Sequence, residues 1–218
     1  MTQDRSPTPP DSDPSLRSFG VVILAAGRSS RMGQPKQLLP VGGRPLVVKA
    51  AEAALASAAW PVVVVVGAQA GQIKTALARL PVLIAENPAW EEGMASSVRA
   101  GLTTVEGFSR SIEGMIVALC DQPGFGPDTV AALVERQRTT SCGIVAARYE
   151  GRLGAPALFT ARYFPALHAL RGEEGARHVI AAAALVGDVA EVPLPALAVD
   201  LDTPEDYRRL LDQTPPVA

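Results

Sequence analysis

Short apolar runs alternate along the chain with longer segments whose apolar residues recur at helical spacing. The runs occupy 21–25, 62–66, 82–85, 115–120 and 142–147. Uninterrupted runs of this length are typical of strands buried on both faces. Helices are predicted between them, at about 45–58, about 70–80, from Met94 and from Pro127. This alternation predicts an α/β fold with a mostly parallel, Rossmann-like sheet and helices on both faces.

The pattern becomes less regular after residue 147. A turn and a short strand are predicted within 148–159, and a helical region within 162–184 is interrupted near 172–175. An edge strand is predicted at 189–194. Pro193 and Pro195 would end it, since proline is confined to edge strands and strand ends. Thr203 and Pro204 have the chemistry of a helix start, and that last helix is predicted to end near Leu211.

The composition predicts one globular domain. Of 218 residues, 48% are hydrophobic and 19% are charged, which is enough to bury a sizeable core. We predict a domain over 19–211, a disordered tail rich in Pro, Ser and Asp at 1–18, and a frayed tail at 212–218. Cys120 and Cys142 are predicted to be reduced and buried.

Charge and hydropathy exclude two classes of partner. A formal charge of -2 and a pI near 5.7 give no bulk attraction to nucleic acid or an anionic membrane. No apolar run reaches the roughly 18 residues that a membrane helix needs, and 1–18 has no apolar core of a secretory signal. A cytoplasmic location is therefore expected.

A loop rich in small and basic residues follows the first predicted strand. It spans 26–36 and contains Gly27, Arg28, Arg31 and Lys36. Small residues let backbone N–H groups approach an anion closely, so the loop is typical of a polyphosphate site. The P-loop order and the dinucleotide fingerprint G-x-G-x-x-G are both absent. An ordinary strand-to-helix loop with solvated charges is the alternative.

Carboxylates stand where strands of the predicted sheet end. Asp121 directly follows an apolar run, and Asp200 and Asp202 precede the last helix. Ligands of open α/β sheets lie beyond the carboxyl ends of the strands. An unpaired carboxylate is costly to desolvate there, so Asp121 needs a cation or hydrogen-bond donors. A lone aspartate in this position is more often a cap or turn residue.

Four segments in order carry a family resemblance. Residues 24–36, LAAGRSSRMGQPK, resemble the signature loop L-A-A-G-x-S-x-R-M-G-x-x-K of the MobA-like nucleotidyltransferases, and most resemble the molybdenum cofactor cytidylyltransferases. The others are C-D-Q-P at 120–123, S-V-R-A-G at 97–101, and D-L-D-T-P-E-D at 200–206. The resemblance extends from about Val21 to Leu210. It implies a fold of the nucleotide-diphospho-sugar transferase type.

The implied reaction transfers CMP from CTP to the terminal phosphate of molybdenum-molybdopterin. The products are molybdopterin cytosine dinucleotide and pyrophosphate. The resemblance also implies a molybdoenzyme or its chaperone as the recipient of the product. A phosphate monoester is largely ionised at neutral pH, so the reaction needs no histidine base. His168 and His178 are accordingly predicted to be surface or helix-packing residues.

The resemblance assigns roles on the nucleotide side. Arg31, Lys36 and Asp121 are implied as catalytic residues, with Arg31 and Lys36 holding the triphosphate. Asp121 and Asp202 are implied as Mg²⁺ ligands, and Asp200 is the alternative to Asp202. Glu205 and Asp206 are expected to act in helix capping instead. The implied nucleotide contacts are Leu24, Ala25, Ala26, Gly27, Arg31, Lys36, Ser97 and Asp121.

Ser97 and Ala26 bear on the choice of base. Ser97 is a candidate contact to the base or ribose, although capping of the helix by Ser96 or Ser97 explains a serine there equally well. Ala26 matches L-A-A-G, whereas the guanylyl enzymes tend to have L-A-G-G.

The acceptor side departs from the family pattern. Residues 172–177, GEEGAR, resemble G-D-x-G-A-R, and 154–156, GAP, resemble G-H-P with Ala155 in place of histidine. The implied acceptor contacts are Gly154, Pro156, Gly175 and Arg177. For Arg177, an exposed arginine on a helix surface is the alternative.

Three other functions compete with this reading. The first is a nucleotidyltransferase that uses GTP or another phosphorylated acceptor, such as a sugar or polyol phosphate. The second is a non-catalytic chaperone that binds molybdopterin. The third is a nucleotide-dependent oxidoreductase, which the missing dinucleotide fingerprint disfavours.

Overall fold

The computed structural model describes residues 19–57 and 59–213, so the predicted tail at 1–18 and residues 214–218 of the predicted frayed tail lie outside the described residues. The strands are β1 (Phe19–Ala25), β2 (Pro40–Val41), β3 (Arg44–Pro45), β4 (Val62–Val66), β5 (Leu83–Glu86), β6 (Gly114–Leu119), β7 (Ile144–Tyr149), β8 (Arg152–Thr160) and β9 (Val189–Pro193). The helices are α1 (Leu46–Ala56), α2 (Ala70–Leu77), α3 (Met94–Phe108), α4 (Pro127–Arg138), α5 (Phe164–His168), α6 (Arg177–Leu185) and α7 (Pro204–Gln213).

Seven of these strands form one sheet, in the order β5-β4-β1-β6-β8-β7-β9. Strands β5, β4, β1 and β6 run parallel, and β9 runs parallel to β7. Strand β8 runs antiparallel to both of its neighbours. The predicted α/β fold with a mostly parallel sheet is confirmed.

Helices cover both faces of the sheet, which explains why its strands are apolar throughout. Val21 and Ile23 of β1 face a core that includes α1, α2 and α4. Val22 and Leu24 face a second core with α3, α5 and α6. Successive side chains of a strand point to opposite faces, so a strand covered on both sides needs apolar residues at every position.

The second half of the chain differs in detail from the prediction. The short strand predicted within 148–159 is β8, with nine residues, and its pairing with β7 shifts register between Ala146 and Ala147. The helical region divides into α5 and α6, with a 3-10 turn at Gly172–Glu174 between them. Strand β9 lies at the edge as predicted.

Several predicted boundaries moved by a few residues. Pro45 pairs in β3 and precedes α1 instead of opening it, and α7 continues to Gln213. Cys120 is buried and Cys142 is half-buried, and both are free thiols. None of the described helices is long and apolar enough to span a bilayer.

A third, smaller core fastens the C-terminal segment to the loop after β1. Leu201 packs in this core with Met32, Leu39, Val41 and Leu46. The Leu201 N–H donates a hydrogen bond to the Asp121 carbonyl over 3.1 Å. The segment 200–202 therefore lies beside the carboxyl end of β6.

Candidate active site

A buried amide fixes the loop after β1. The Gln37 side chain is 1% exposed, and its Nε2 donates to the carbonyls of Ala25 at 3.2 Å and Gly27 at 2.7 Å. Ser29 Oγ donates to Gln37 Oε1 over 3.1 Å and accepts from the Lys36 N–H at the same distance. Hydrogen bonds therefore connect the start of the loop to its C-terminal end. Gln37 was not among the predicted site residues.

Lys36 joins the two carboxylates that were predicted to act together. Its Nζ donates to Asp121 Oδ2 and, over 2.9 Å, to Asp202 Oδ1. Arg31 Nη2 donates to Asp202 Oδ2 over 2.9 Å. In the structure, Arg31 and Lys36 thus contact Asp121 and Asp202, although the basic and the acidic residues are far apart in the sequence.

The charges at this junction shift one another's pKa. Burial disfavours the Lys36 ammonium, but the charges and hydrogen bonds of Asp121 and Asp202 outweigh it and raise the pKa of Lys36. Burial also opposes the ionised form of Asp202, but Lys36 and Arg31 lower the pKa of Asp202 below its usual range. Lys36 and Asp202 are therefore charged at neutral pH and stabilise each other.

Asp200 faces another way. Its Oδ2 lies 3.7 Å from Arg152 Nη2, and its Oδ1 is buried without a hydrogen-bond partner. Burial, followed by the charge of Asp121, raises the pKa of Asp200. Asp121 Oδ1 is likewise buried without a partner. The described residues contain no group of three or more His, Cys, Asp or Glu side chains that is already arranged to hold a metal ion.

A cavity of about 380 Å³ lies above the carboxyl ends of β1 and β6. Every predicted nucleotide contact except Arg31 lines it: Leu24, Ala25, Ala26, Gly27, Lys36, Ser97 and Asp121. Arg28, also in the lining, lies 4.9 Å from the centre of the Trp90 ring and pairs with Glu91 at 2.7 Å.

Ser96 and Ser97 belong to a buried polar network. Asn87 Nδ2 donates to Ser96 Oγ over 2.8 Å and to Ser97 Oγ over 3.0 Å. Ser96 Oγ donates to the Gly93 carbonyl, and α3 has no side-chain cap. The capping explanation for these serines is therefore wrong, and Asn87 is a second buried amide that was not among the predicted site residues. Capping does occur on α7, where Asp206 Oδ2 accepts from the Thr203 N–H over 2.9 Å.

A second cavity, of about 350 Å³, adjoins the first. Met94, Leu119 and Glu173 line both. The floor of the second cavity is apolar, and its polar lining residues are Tyr149, Arg152, Glu173, Arg177, His178 and Asp200.

The predicted acceptor residues divide into two groups. Gly154 and Arg177 line the second cavity, together with Ala155. Pro156 is buried and Gly175 packs against Met94, where a Cβ atom on Gly175 would lie 2.6 Å from the Met94 sulfur. His178, predicted at the surface or in helix packing, is exposed and also lines this cavity.

A model of the MobA-like NTP transferase domain matches residues 21–188. The chain belongs to the MobA-like NTP transferase family. The match includes the loop, Asp121 and Arg177, and it ends before Asp200 and Asp202. The family resemblance of the sequence motifs is confirmed.

Two characterised relatives cover most of the chain. Nicotine blue oxidoreductase of Paenarthrobacter nicotinovorans is 34% identical over 208 residues, which cover 91% of this chain and 99% of that protein. The purine catabolism protein PucB of Bacillus subtilis is 30% identical over 196 residues, covering 85% of this chain and 92% of PucB. The two relatives therefore carry names of different kinds, one of an oxidoreductase and one of a catabolism protein.

Solved structures that are similar to this chain share its fold. A homologue of Rv0371c from Mycobacterium sp. strain JC1 is 29% identical, with a TM-score of 0.77, over 91% of this chain and 97% of that one. Rv0371c of Mycobacterium tuberculosis H37Rv in complex with manganese is 27% identical, with a TM-score of 0.69, over 89% of this chain and 98% of that one.

Proposed function

We propose that this nucleotidyltransferase transfers CMP from CTP to the terminal phosphate of molybdenum-molybdopterin, with a divalent metal ion, Mg²⁺, as cofactor. The observation that carries the proposal is the pair of adjoining cavities at one edge of the sheet. Lys36 and Asp121 lie in one cavity and Asp200 in the other. Two adjoining cavities suit a reaction that joins two substrates.

The cations of the loop act on the triphosphate. Arg31 and Lys36, with the N–H groups of the loop, hold the phosphates and oppose their charge. An oxygen of the acceptor phosphate attacks the α-phosphorus of CTP. The bond from that phosphorus to the oxygen bridging to the β-phosphate breaks, and pyrophosphate leaves with the electron pair. The acceptor phosphate is already ionised, so no side chain has to remove a proton.

The acidic residues fit a divalent ion. Asp121 has a buried carboxylate oxygen without a partner, and Asp202 shares Lys36 with it. Hard cations such as Mg²⁺ prefer such oxygen ligands. Asp121 and Asp202 would hold the ion, which when bound offsets the negative charge of the phosphates. The manganese complex of Rv0371c supports a divalent ion in this family.

The second cavity favours a flat ring system over a sugar. Its floor is built from Val117, Ala157 and Phe159, which offer no hydrogen bonds to hydroxyl groups. A flat ring buries more apolar area against this floor than a polyol does, and burial of apolar area is favourable by about 25 cal/mol per Å². Arg177 provides a positive charge for the acceptor phosphate, and Ala155 leaves open the space that a histidine would fill.

A second candidate is the reduction of a flat heteroaromatic compound. It is favoured by the 34% identity to nicotine blue oxidoreductase, and the apolar cavity suits such a compound. The absent dinucleotide fingerprint opposes it. The two candidates differ in an observable quantity, because only a reductase consumes NADH or NADPH.

The deciding experiment measures pyrophosphate release from CTP, GTP, ATP and UTP with molybdenum-molybdopterin and Mg²⁺, alongside NAD(P)H absorbance. We expect release to be fastest with CTP and to vanish in Asp121→Asn. Asp128→Asn, an exposed aspartate of α4, serves as the control and should retain full activity. Release with GTP alone would overturn the choice of base. Consumption of NAD(P)H without pyrophosphate would establish the second candidate instead.

A further inference from the structure

Arg152 is a cation in the second cavity that the family motifs do not include. It opens β8, and its side chain is half exposed. Its Nη2 lies 3.7 Å from Asp200 Oδ2 and 3.6 Å from Glu150 Oε2, both beyond hydrogen-bond distance. Within the described residues its guanidinium forms no hydrogen bond with the protein, so its five N–H donors remain available to a ligand.

Other arginines near the cavities are already committed to protein groups. Arg99 Nη2 donates to Glu92 over 2.7 Å, and its Nη1 donates to the Leu170 carbonyl. Arg31 donates to Asp202. Arg152 differs from both, because it forms ion pairs with Glu150 at 3.6 Å and Asp200 at 3.7 Å without a hydrogen bond to either.

The guanidinium of Arg152 stands on a rigid support. Its Cζ lies 5.3 Å from the centre of the Tyr149 ring. The Tyr149 hydroxyl donates to the Ala155 carbonyl over 3.0 Å and accepts from Gln122 Nε2 over 3.2 Å. Gln122 is 2% exposed, so this chain of hydrogen bonds is held by the core. Stacking on a fixed ring restricts the motion of a planar cation without using its donors.

The position of Arg152 is also informative. Its Nη2 lies 3.7 Å from Asp200 Oδ2, and the next residue, Leu201, donates its N–H to the Asp121 carbonyl over 3.1 Å. Arg152 therefore lies on the side of the second cavity that faces Asp121. Arg177 lines the same cavity, and among the residues that the structure describes no other arginine or lysine does. The negative charge of Asp200 would repel an anion at this junction, so a bound anion needs a nearby cation that opposes that charge.

We propose that Arg152 binds the phosphate group of the acceptor at the junction of the two cavities, held in place by Tyr149 and Asp200. This inference rests on the proposed function, since it concerns the phosphorylated acceptor of that reaction. The ligand class is a phosphate monoester attached to a flat ring system. Arg152 supplies the two parallel donors that a phosphate accepts, and a lysine in its place would supply only a point charge.

The test compares binding of phosphorylated and dephosphorylated ligands to Arg152→Gln, Arg152→Lys and Arg148→Gln. Arg148 is the matched control, because it pairs with Glu191 on the same sheet and does not line the cavity. Fluorescence titrations use molybdopterin with its dephosphorylated form, and 4-methylumbelliferyl phosphate with 4-methylumbelliferone. Steady-state turnover gives the KM values for CTP and for the acceptor.

We expect Arg152→Gln to weaken binding of both phosphorylated ligands at least tenfold and to leave the dephosphorylated ligands within twofold. The acceptor KM should rise at least tenfold with an unchanged KM for CTP. Arg152→Lys should fall between the wild type and Arg152→Gln, and Arg148→Gln should match the wild type. An unchanged affinity, or an equal loss for both forms of a ligand, would overturn the inference.

The outcomes separate this inference from the proposed function. If the wild type ignores molybdopterin but binds 4-methylumbelliferyl phosphate through Arg152, the proposed acceptor is wrong and the role of Arg152 stands. If molybdopterin is turned over with the same KM in Arg152→Gln, the proposed function stands and the role of Arg152 is wrong. If neither phosphorylated ligand binds the wild type, the inference is overturned.

Discussion

Lys36 keeps two acidic side chains together that would otherwise repel each other. Its ammonium contacts Asp121 and Asp202, and the Lys36 and Asp121 side chains are 17% and 15% exposed. A divalent ion held by the same carboxylates has to compete with this ammonium. We therefore expect Lys36 to weaken binding of the proposed metal ion until a bound triphosphate draws the charge of Lys36 away.

Lys36→Met should consequently tighten metal binding in the absence of nucleotide. We expect the Kd for Mn²⁺ to fall about tenfold, or about 1.4 kcal/mol. Without metal, the free energy of unfolding should drop by about 1–3 kcal/mol, because two part-buried carboxylates lose their partner. Isothermal titration with Mn²⁺ and urea unfolding measure both quantities.

Lys74→Met is the control for Lys36→Met. Lys74 forms an exposed pair with Glu86, so its loss should leave Mn²⁺ binding unchanged. Weaker Mn²⁺ binding in Lys36→Met than in the wild type would show that the ammonium does not compete with the metal.

Gln37 offers a second prediction at this scale. Gln37→Leu keeps most of the side-chain volume but leaves the carbonyls of Ala25 and Gly27 without their donor. We expect a loss of about 1–3 kcal/mol in the free energy of unfolding, the cost of leaving buried polar groups unpaired. The Kd for CTP should rise as well, because the loop loses its fixed conformation.

Urea unfolding and CTP titration check this, with Gln34→Leu as the control. Gln34 is exposed in the same loop, so its replacement should change neither quantity appreciably. Equal effects of Gln34→Leu and Gln37→Leu would show that the loop tolerates any apolar residue and that the Gln37 amide has no special role.

Single residues such as Gln37 and Asn87 mark the limit of what the sequence reveals. The family motifs identified Lys36 and Asp121, because each motif is defined by residue types at fixed spacing. Gln37 bonds mainly to backbone carbonyls, and Asn87 bonds to serines nine and ten residues away. Such partners leave no pattern of residue types, so only the folded structure identifies them.

At the scale of elements, α3 contains two glycines with opposite surroundings. A Cβ atom on Gly101 would lie 2.3 Å from Cγ1 of Val22 in β1, whereas a Cβ atom on Gly107 meets nothing within 4 Å. Gly101 therefore lets α3 pack closely on the sheet. Gly107 has no such role, and it costs helix stability relative to alanine.

Gly101→Ala should lower the free energy of unfolding by about 1–3 kcal/mol, because the added methyl group overpacks the contact with β1. Gly107→Ala should raise it by about 0.5–1 kcal/mol, because alanine restricts the unfolded chain and favours the helix. Urea unfolding of both variants measures the difference. A neutral Gly101→Ala would mean that α3 can move away from the sheet at little cost.

Elements were predictable where burial alone determines the residue pattern. Strand β4 is five valines buried on both faces, and its predicted bounds are those observed. Strand β8 was predicted only as a short piece, because Arg152, Gly154 and Pro156 interrupt its apolar pattern. Its direction follows from pairing with β6 and β7, which local sequence does not specify.

At the scale of the whole molecule, the parallel sheet explains how distant residues reach one site. Lys36 is 85 residues from Asp121 and 166 from Asp202 in the chain. Parallel strands bring their carboxyl ends to one edge, so motifs that follow different strands meet there. This made the main site predictable. Arg152 lies at the start of an antiparallel strand, to which that rule does not apply.

The Asp188 carboxylate, directly before β9, links three segments of the chain and makes the stability of the fold depend on pH. Asp188 accepts hydrogen bonds from the Gly143 N–H at 2.9 Å, from Arg162 and from the Tyr163 hydroxyl. The Tyr163 hydrogen bond contributes most to lowering the pKa of Asp188 below its usual range. Burial, and then the bond to Asp188, raises the pKa of Tyr163 to about 12.

The two shifts act on opposite sides of neutrality. A lowered pKa means that the unfolded state binds the proton of Asp188 more tightly, so this stabilisation is complete above roughly pH 4 and is lost as the pH falls. A raised pKa means that the folded state retains the Tyr163 proton. That stabilisation is complete below roughly pH 10 and is lost as the pH rises toward 12.

Asp188→Asn should therefore lower the free energy of unfolding by about 1–2 kcal/mol at pH 7, and by progressively less below pH 4. Tyr163→Phe should cost about 1 kcal/mol at pH 7, and its effect should shrink above pH 10. Urea unfolding between pH 3 and 11 measures both variants against the wild type.

Tyr207→Phe is the control, because the Tyr207 hydroxyl donates over 2.6 Å to the Pro40 carbonyl, which does not titrate. Its cost should be the same at pH 4 and pH 7. A cost of Asp188→Asn that stays constant down to pH 3 would show that the Asp188 carboxylate stabilises the fold by its shape and not by its charge.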